Sequence, residues 1–339
     1  MCIRADRVIL FLGCIAALIL SGCGASKQAE ADKGLRWPAP PDEPRFKYVR
    51  TYQGEDDFES KLGALTKAIA GASNGVQLQS PFDVCTDGKG HIWVTDLSLG
   101  LVVIDEVKGE MKAIGGQNEI PVKSTRGIAY GDNRLYVGIA DGGQVFVLDT
   151  EGKILSRIGK QGQFPNPVDI VFDTVKHRVV IVDNKQSQVY VYSSTGDSLF
   201  SFGGLGSVDG LFHFPQSVAI DSAGNFYVVD SFNFRVEKFD STGKYLSKFG
   251  SQGDVYGTFS RPKGIAIDTY GNIYVLDAMH NNFQVFNAKE EFLMFVGEFS
   301  YKNNGFQDPI SICIDRHNLI YVTDHLNGRL QIFQLLKGD

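Results

Sequence analysis

Three histidines, His213, His280 and His325, and two acids, Asp83 and Asp169, are the side chains of this sequence whose chemistry could amount to a reaction. Imidazole near neutral pH is an acid–base group or a metal ligand, and carboxylates complete zinc or calcium sites. The offsets of the three histidines within the repeat described below all differ, however, so convergence on one ion is not expected. His91, His177 and His317 fall in short turns and should be solvated. A G-x-S-x-G nucleophile elbow, a phosphate loop and a Cys-x-x-Cys pair are absent. Asp96, Asp183, Asp230, Asp277 and Asp324 are conspicuous, but they recur at regular spacing. A catalytic acid is singular, so repeated acids read as architecture.

The elements that carry these residues are legible in Phe214 to Gly250. Val218 and Ile220 alternate up to Asp221, Ser-Ala-Gly-Asn gives a turn, and Phe226 to Val229 form a second run ending at Asp230. Arg235 to Phe239 and, after Asp240-Ser-Thr-Gly243, Tyr245 to Phe249 complete four short antiparallel strands. The unit recurs: Asp183, Asp230, Asp277 and Asp324 stand 47 residues apart, with Gly138 taking the place of Asp in its own copy and Asp96 preceding it. Six copies start at Pro81, Thr125, Pro167, Pro215, Pro262 and Pro309. Four strands at a period of 40 to 50 residues predict an all-β, six-bladed β-propeller, in which only neighbouring blades can cover each blade's apolar faces. The Phe three places before a Pro (Phe164, Phe212, Phe259, Phe306) is expected to pack between blades.

The sixth copy ends after three strands, and Lys47 to Tyr52 matches a fourth strand in kind and spacing, so this N-terminal strand is expected to close the last blade. Between it and the first blade, Phe58, Leu62, Leu65 and Ile69 lie at helical spacing, predicting a short helical insertion over 55–71.

Upstream, Arg4 and Arg7 precede the apolar run Val8 to Leu20 and then Leu20-Ser-Gly-Cys23. This is the pattern of a secretory signal over 1–22, and its end resembles the lipobox of bacterial lipoproteins. That resemblance implies cleavage before Cys23, lipid on its sulfur and a place in the cell envelope, with Gly24 favouring the outer membrane of a Gram-negative host. Residues 23–44 are small, polar and Pro-rich and read as an extended tether, leaving 45–339 as one propeller domain large enough to bury a core. The formal charge of -6 makes nucleic acid a poor partner, since that affinity comes from Lys and Arg on phosphates. Of five cysteines, Cys85 and Cys313 remain after Cys2, Cys14 and Cys23 are assigned. They occupy small-residue positions of inner strands and are expected to be free thiols.

The consensus of Pro, aliphatic-x-aliphatic-Asp, x-x-Gly-Asn, aliphatic-Tyr-Val-x-Asp and Asn-x-Arg-Val-x-x-Phe resembles the NHL repeat, most closely at Asp230, Asn233 and Arg235 and at Asp324, Asn327 and Arg329. The resemblance implies a propeller used as an interaction scaffold, an RNA reader, a sensor or, in one group, a zinc-dependent amidating lyase. The lyase places histidines just after the Pro of inner strands. Here those positions hold Phe82, Arg126, Val168, Gln216, Lys263 and Ile310. The calcium site of lactonase-like hydrolases finds only Asp83 and Asp169 near the tunnel mouth. The reading is therefore a non-catalytic envelope module, without a cofactor, that binds a protein or peptide through Arg126, Lys263, Arg261, Gln216, Asp83, Asp169 and Phe82. A metal-dependent propeller enzyme is the alternative.

Overall fold

The computed structural model describes residues 34–58, 75–114 and 124–336. Six antiparallel sheets are arranged as blades, five of them laid out in strand order from the inside outwards and the sixth completed on its outside by strands from the N-terminal end. Their innermost strands begin at Pro81, Thr125, Pro167, Pro215, Pro262 and Pro309, as the repeat predicts. Proline suits this place because the first residue of an edge strand need not donate to the ladder. In the fourth blade the strands are Pro215–Ile220, Phe226–Asp230, Arg235–Phe239 and Tyr245–Phe249. The first turn is held by the Asp221 carboxylate, which accepts the N–H groups of Ala223 and Asn225 at 3.0 and 2.9 Å.

The ring closes through the N-terminal strand. Phe46–Tyr52 pairs with Arg329–Leu335, with Tyr48 opposite Phe333 and Tyr52 opposite Leu330. Part of the stretch read as tether also joins this blade: Arg36–Trp37 adds a two-residue fifth strand outside Phe46–Tyr52. Leu35 and Trp37 pack on the core between the fifth and sixth blades, and the Trp37 ring meets Phe333 edge-on at 5.5 Å. Two apolar side chains at strand spacing outweigh the prolines that follow them. Of the helix expected over 55–71, only Glu55–Phe58 lies among the described residues, where it forms a 3-10 turn with Phe58 stacked on Tyr52 at 5.1 Å.

Each of six apolar clusters draws on two adjacent blades, so burial is a property of the ring and not of any blade alone. Phe164, Phe212, Phe259 and Phe306 are fully buried in these seams. Their rings lie against Gly159, Gly203, Gly250 and Gly297, which end the preceding fourth strands with positive φ. A Cβ at Gly250 would come within 2.3 Å of the Phe259 ring.

The repeated acids are architectural. Asp277 accepts the N–H groups of Ser260, Arg261, Met279 and His280 at 2.6 to 3.2 Å. Asp324 accepts from Gln307 N–H at 2.7 Å and Arg329 Nε at 2.6 Å. Each such aspartate ties two loops to one strand end. In the second blade the register places Ile139, not Gly138, opposite Thr125, as Asp96 lies opposite Pro81. The position of the missing Asp is thus Ile139, and Gly138 corresponds to Thr95. A step of 45 residues back from Asp183 points to Gly138, whereas the pairing of the two strands, which spacing does not reveal, puts Ile139 there. Cys85 and Cys313 are unpaired thiols, Cys85 buried and Cys313 half-buried.

Phe46 is 1% exposed and makes edge contacts with Tyr274 and Phe283, so it couples the closing strand to the fifth blade. Phe46→Ala is expected to lower the unfolding free energy by about 3 to 4 kcal/mol, measured by urea denaturation. A loss below about 1 kcal/mol would show that this strand does not hold the ring closed.

Candidate functional site

Because the sheets are antiparallel, the loops from second to third strands and from each fourth strand to the next blade share one face, here the upper face. The inner strands enter the tunnel from it. Each carries a bulge just inside its start, between Pro81 and Asp83, Pro167 and Asp169, and at the matching places of the other four blades. At Ile128, Val218 and Ile265 the bulge leaves an N–H that a side chain of the preceding blade accepts, whereas Val84 N–H turns to Asp83 of its own strand.

Asp83 accepts the Ile128 N–H of the second blade at 2.6 Å, its neighbour Val84 N–H at 2.8 Å and the Ser311 hydroxyl of the sixth blade at 2.5 Å. Asp169 accepts the Ser217 hydroxyl at 2.7 Å and Val218 N–H at 2.8 Å. Ser217 Oγ in turn accepts Ile265 N–H at 3.3 Å. Where the position is Gly127 or Gly264 the next strand closes in directly, and a Cβ would lie 2.6 Å from Asp169 Cα or 2.9 Å from Ile310 O. The result is a hydrogen-bonded girdle at the tunnel neck. Burial, and then the charge of Asp169, push the Asp83 carboxyl well above the usual range, and burial also raises Asp169.

Above the girdle, Phe82, Val168, Gln216, Lys263 and Ile310 narrow the mouth. The Arg126 guanidinium lies 5.8 Å over the Phe82 ring and donates to Thr125 O at 2.8 Å. Among the described residues no carboxylate pairs with it, and burial alone lowers its pKa. Lys263 Nζ is 3.1 Å from Asp308 Oδ1, and Arg261 binds the same oxygen. Burial lowers the Lys263 pKa, with Asp308 opposing. One carboxylate thus serves two cations, and with Arg126 the mouth is electropositive on a chain of net charge -6.

The structure therefore gathers all seven residues singled out from the sequence around one mouth, in two layers. Phe82, Gln216, Lys263, Arg126 and Arg261 form the rim. Asp83 and Asp169 lie in the girdle beneath, committed to blade-to-blade bonds. His213, His280 and His325 do not converge: His213 lies edge-on to Phe232, His280 Nδ1 is 3.4 Å from Asp277, and His325 Nδ1 is 3.1 Å from Pro81 O. Among the described residues no three His, Cys, Asp or Glu side chains stand close enough to hold a metal ion. Cys23 lies outside the described residues.

Residues 115–205 match a family model described as a 6-bladed β-propeller, and residues 212–239 and 306–333 match the NHL repeat. The chain is a six-bladed β-propeller carrying NHL repeats. The matched NHL segments fall in the fourth and sixth blades, where the Asp-Asn-Arg pattern is fullest. Among solved structures, the NHL propeller is similar to a protein of unknown function from Bacteroides thetaiotaomicron (17% identity, 76% of this chain and 70% of that one, TM-score 0.61). It is also similar to an auxiliary nutrient binding protein from the same organism (14%, 76% and 69%, 0.57) and to virginiamycin B lyase from Staphylococcus aureus (10%, 86% and 100%, 0.57). At these identities the likeness is one of fold. No curated protein matches the chain.

Sequence reasoning missed an apolar arc on the upper face of this NHL propeller. Phe232, Met279 and Leu326 occupy the same place in the second-to-third loops of the fourth, fifth and sixth blades and are 50%, 62% and 60% exposed. The first three blades have Ser98, Asp141 and Lys185 there. Leu205 and Val208, in the loop from the third blade to the fourth, Val255, in the loop from the fourth to the fifth, and Phe299 and Tyr301, in the loop from the fifth to the sixth, are exposed as well. The signal was available as apolar residues recurring every 47 positions in loops that are otherwise polar.

A carboxyl whose folded pKa is raised adds stability that is complete below its unfolded value and is lost as pH climbs through the folded one. Asp169 should therefore cost the fold stability between about pH 4 and about pH 6. Asp169→Asn, which keeps an acceptor for Ser217 and Val218, is expected to show a smaller fall in Tm from pH 4 to pH 7 than the parent. Parallel Tm curves would mean that this carboxyl is not held against its charge.

Proposed function

We propose that this NHL propeller is a lipid-anchored protein of the cell envelope whose upper face captures a protein or peptide. The observation that carries the reading is the apolar arc over the fourth to sixth blades beside the electropositive mouth. Exposed apolar side chains beside charged ones are the composition of a protein-binding patch. Arg126, partly desolvated and with no carboxylate partner among the described residues, fits an acidic side chain or a terminal carboxylate, while Phe232, Met279 and Leu326 supply apolar area. The opposite face is built of short Asp-anchored turns that serve the strands. Attachment rests on Cys23 and the segment before it, and an anchored ring of this kind would present its upper face to neighbours in the envelope.

The test compares partner capture by three variants of the full chain. Phe232→Ser with Met279→Ser and Leu326→Ser, and separately Arg126→Gln, are each expected to weaken capture at least about tenfold with little change in Tm, since these side chains are not in the seams. Lys89→Glu with Lys244→Glu, on the opposite face, should leave capture intact. Equal loss from all three would point to diffuse electrostatics, which added salt would also erase. Cys23→Ser should abolish acyl labelling and release the protein from the membrane fraction; unaltered labelling would rule out this sulfur as the anchor.

A further inference from the structure

The first blade departs from its repeat at two neighbouring positions. In the fourth and fifth blades an Asn of the first turn, Asn225 or Asn272, donates to the turn aspartate at 2.8 Å. In the fifth and sixth blades a Tyr of the second strand, Tyr274 or Tyr321, donates to the same carboxylate. The first blade has His91 in place of Asn and Trp93 in place of Tyr. His91 Nδ1 takes the Asp87 Oδ2 bond at 2.7 Å, and its ring stacks on Trp93 at 5.9 Å. Tyr130 of the second blade stacks on Trp93 at 5.1 Å. The indole is 2% exposed, and its Nε1–H is buried with no hydrogen-bond partner among the described residues. His91 was expected to be a solvated turn residue. It is instead a half-buried member of this stack.

These substitutions border a groove of about 420 Å³ between the first and second blades, within the ~300 to 1,000 Å³ of small-molecule sites. The strand register sets two ranks across its floor, Trp93 beside Val103 and Lys112, and His91 beside Asp105 and Glu110. The turn at Thr150 and Glu151 of the second blade forms the far wall. Lys108 pairs with Asp105 at 2.9 Å and Lys112 with Glu110 at 2.7 Å, so most of the lining charge is neutralised in place. What remains on offer is the outer His91 nitrogen, 3.8 Å from Asp105, and ammonium and carboxylate groups alternating around Val103 and Ile114.

The geometry points to this groove as a binding site for a neutral mono- or disaccharide, separate from the upper-face patch. A sugar carries donors and acceptors on every hydroxyl and apolar C–H faces between them. Its hydroxyls accept from the outer His91 nitrogen and the lysines and donate to Asp105 and Glu110, while a C–H face lies on Val103 and Ile114. Paired lining charges and the further acid Glu151 disfavour an anionic ligand.

The chain has two tryptophans, Trp37 and Trp93, so in a Trp37→Phe background the emission reports the groove alone. Titration of the full chain with glucose, galactose, N-acetylglucosamine and maltose is expected to give a saturable emission change with at least one sugar, with Kd below about 10 mM. Lys112→Met and His91→Asn should each weaken that sugar at least about fivefold. The double variant His91→Asn with Trp93→Tyr, which restores the repeat pattern, should keep the parent Tm and show no binding heat in calorimetry. The assignment is overturned if none of the four sugars saturates, if the change survives Lys112→Met and His91→Asn undiminished, or if glucuronate binds more tightly than glucose.

Discussion

The girdle at the tunnel neck is the constraint on which the ring depends. Every inner strand is an edge strand, and an edge in the middle of a protein would leave backbone groups without water or partner. A bulge in each strand concentrates that deficit, and the side chain at the bulge of the previous blade meets it at Asp83, Asp169 and Ser217. Ser311 returns the chain of bonds from the sixth blade to the first through Asp83. Six blades held at this spacing place their apolar faces in register, and the seams between them follow.

The outer layers repeat the same logic with different chemistry. A buried aspartate at the end of five second strands collects loop N–H groups, and where a guanidinium is available, as at Arg235 and Arg329, it braces the carboxylate as well. Phenylalanine rings fill the seams above glycines whose missing side chains make room. These residues recur because each blade must solve the same problem, and their recurrence identifies them as scaffold.

The surfaces proposed for binding lie at places that do not recur. In the second-to-third loops of the upper face the fourth to sixth blades carry Phe232, Met279 and Leu326 where the first three have Ser98, Asp141 and Lys185. The cations at Arg126 and Lys263 stand at inner-strand positions that hold Phe, Val, Gln or Ile in the other blades. The groove of the first blade arises from two substitutions in a turn and strand that otherwise match their counterparts. A propeller can alter one blade in this way because its neighbours carry the fold.

Strand positions, the period, the Pro that opens five of the six blades and the closing strand were all legible in the sequence, because turn residues and alternating apolar residues are local signals that depend on neighbours along the chain. The role of the repeated aspartates was legible for the same reason. The bond between Asp83 and Ile128 was not, since it joins residues from different blades across a tunnel that exists only when the ring is closed. Nor could spacing reveal that Ile139 and not Gly138 stands in the aspartate's place, that Trp37 leaves the Pro-rich segment to pack on Phe333, or that His91 stacks on Trp93. Register, seam packing and pockets between blades are set by contacts between distant residues, and only the tertiary structure brings those residues within reach.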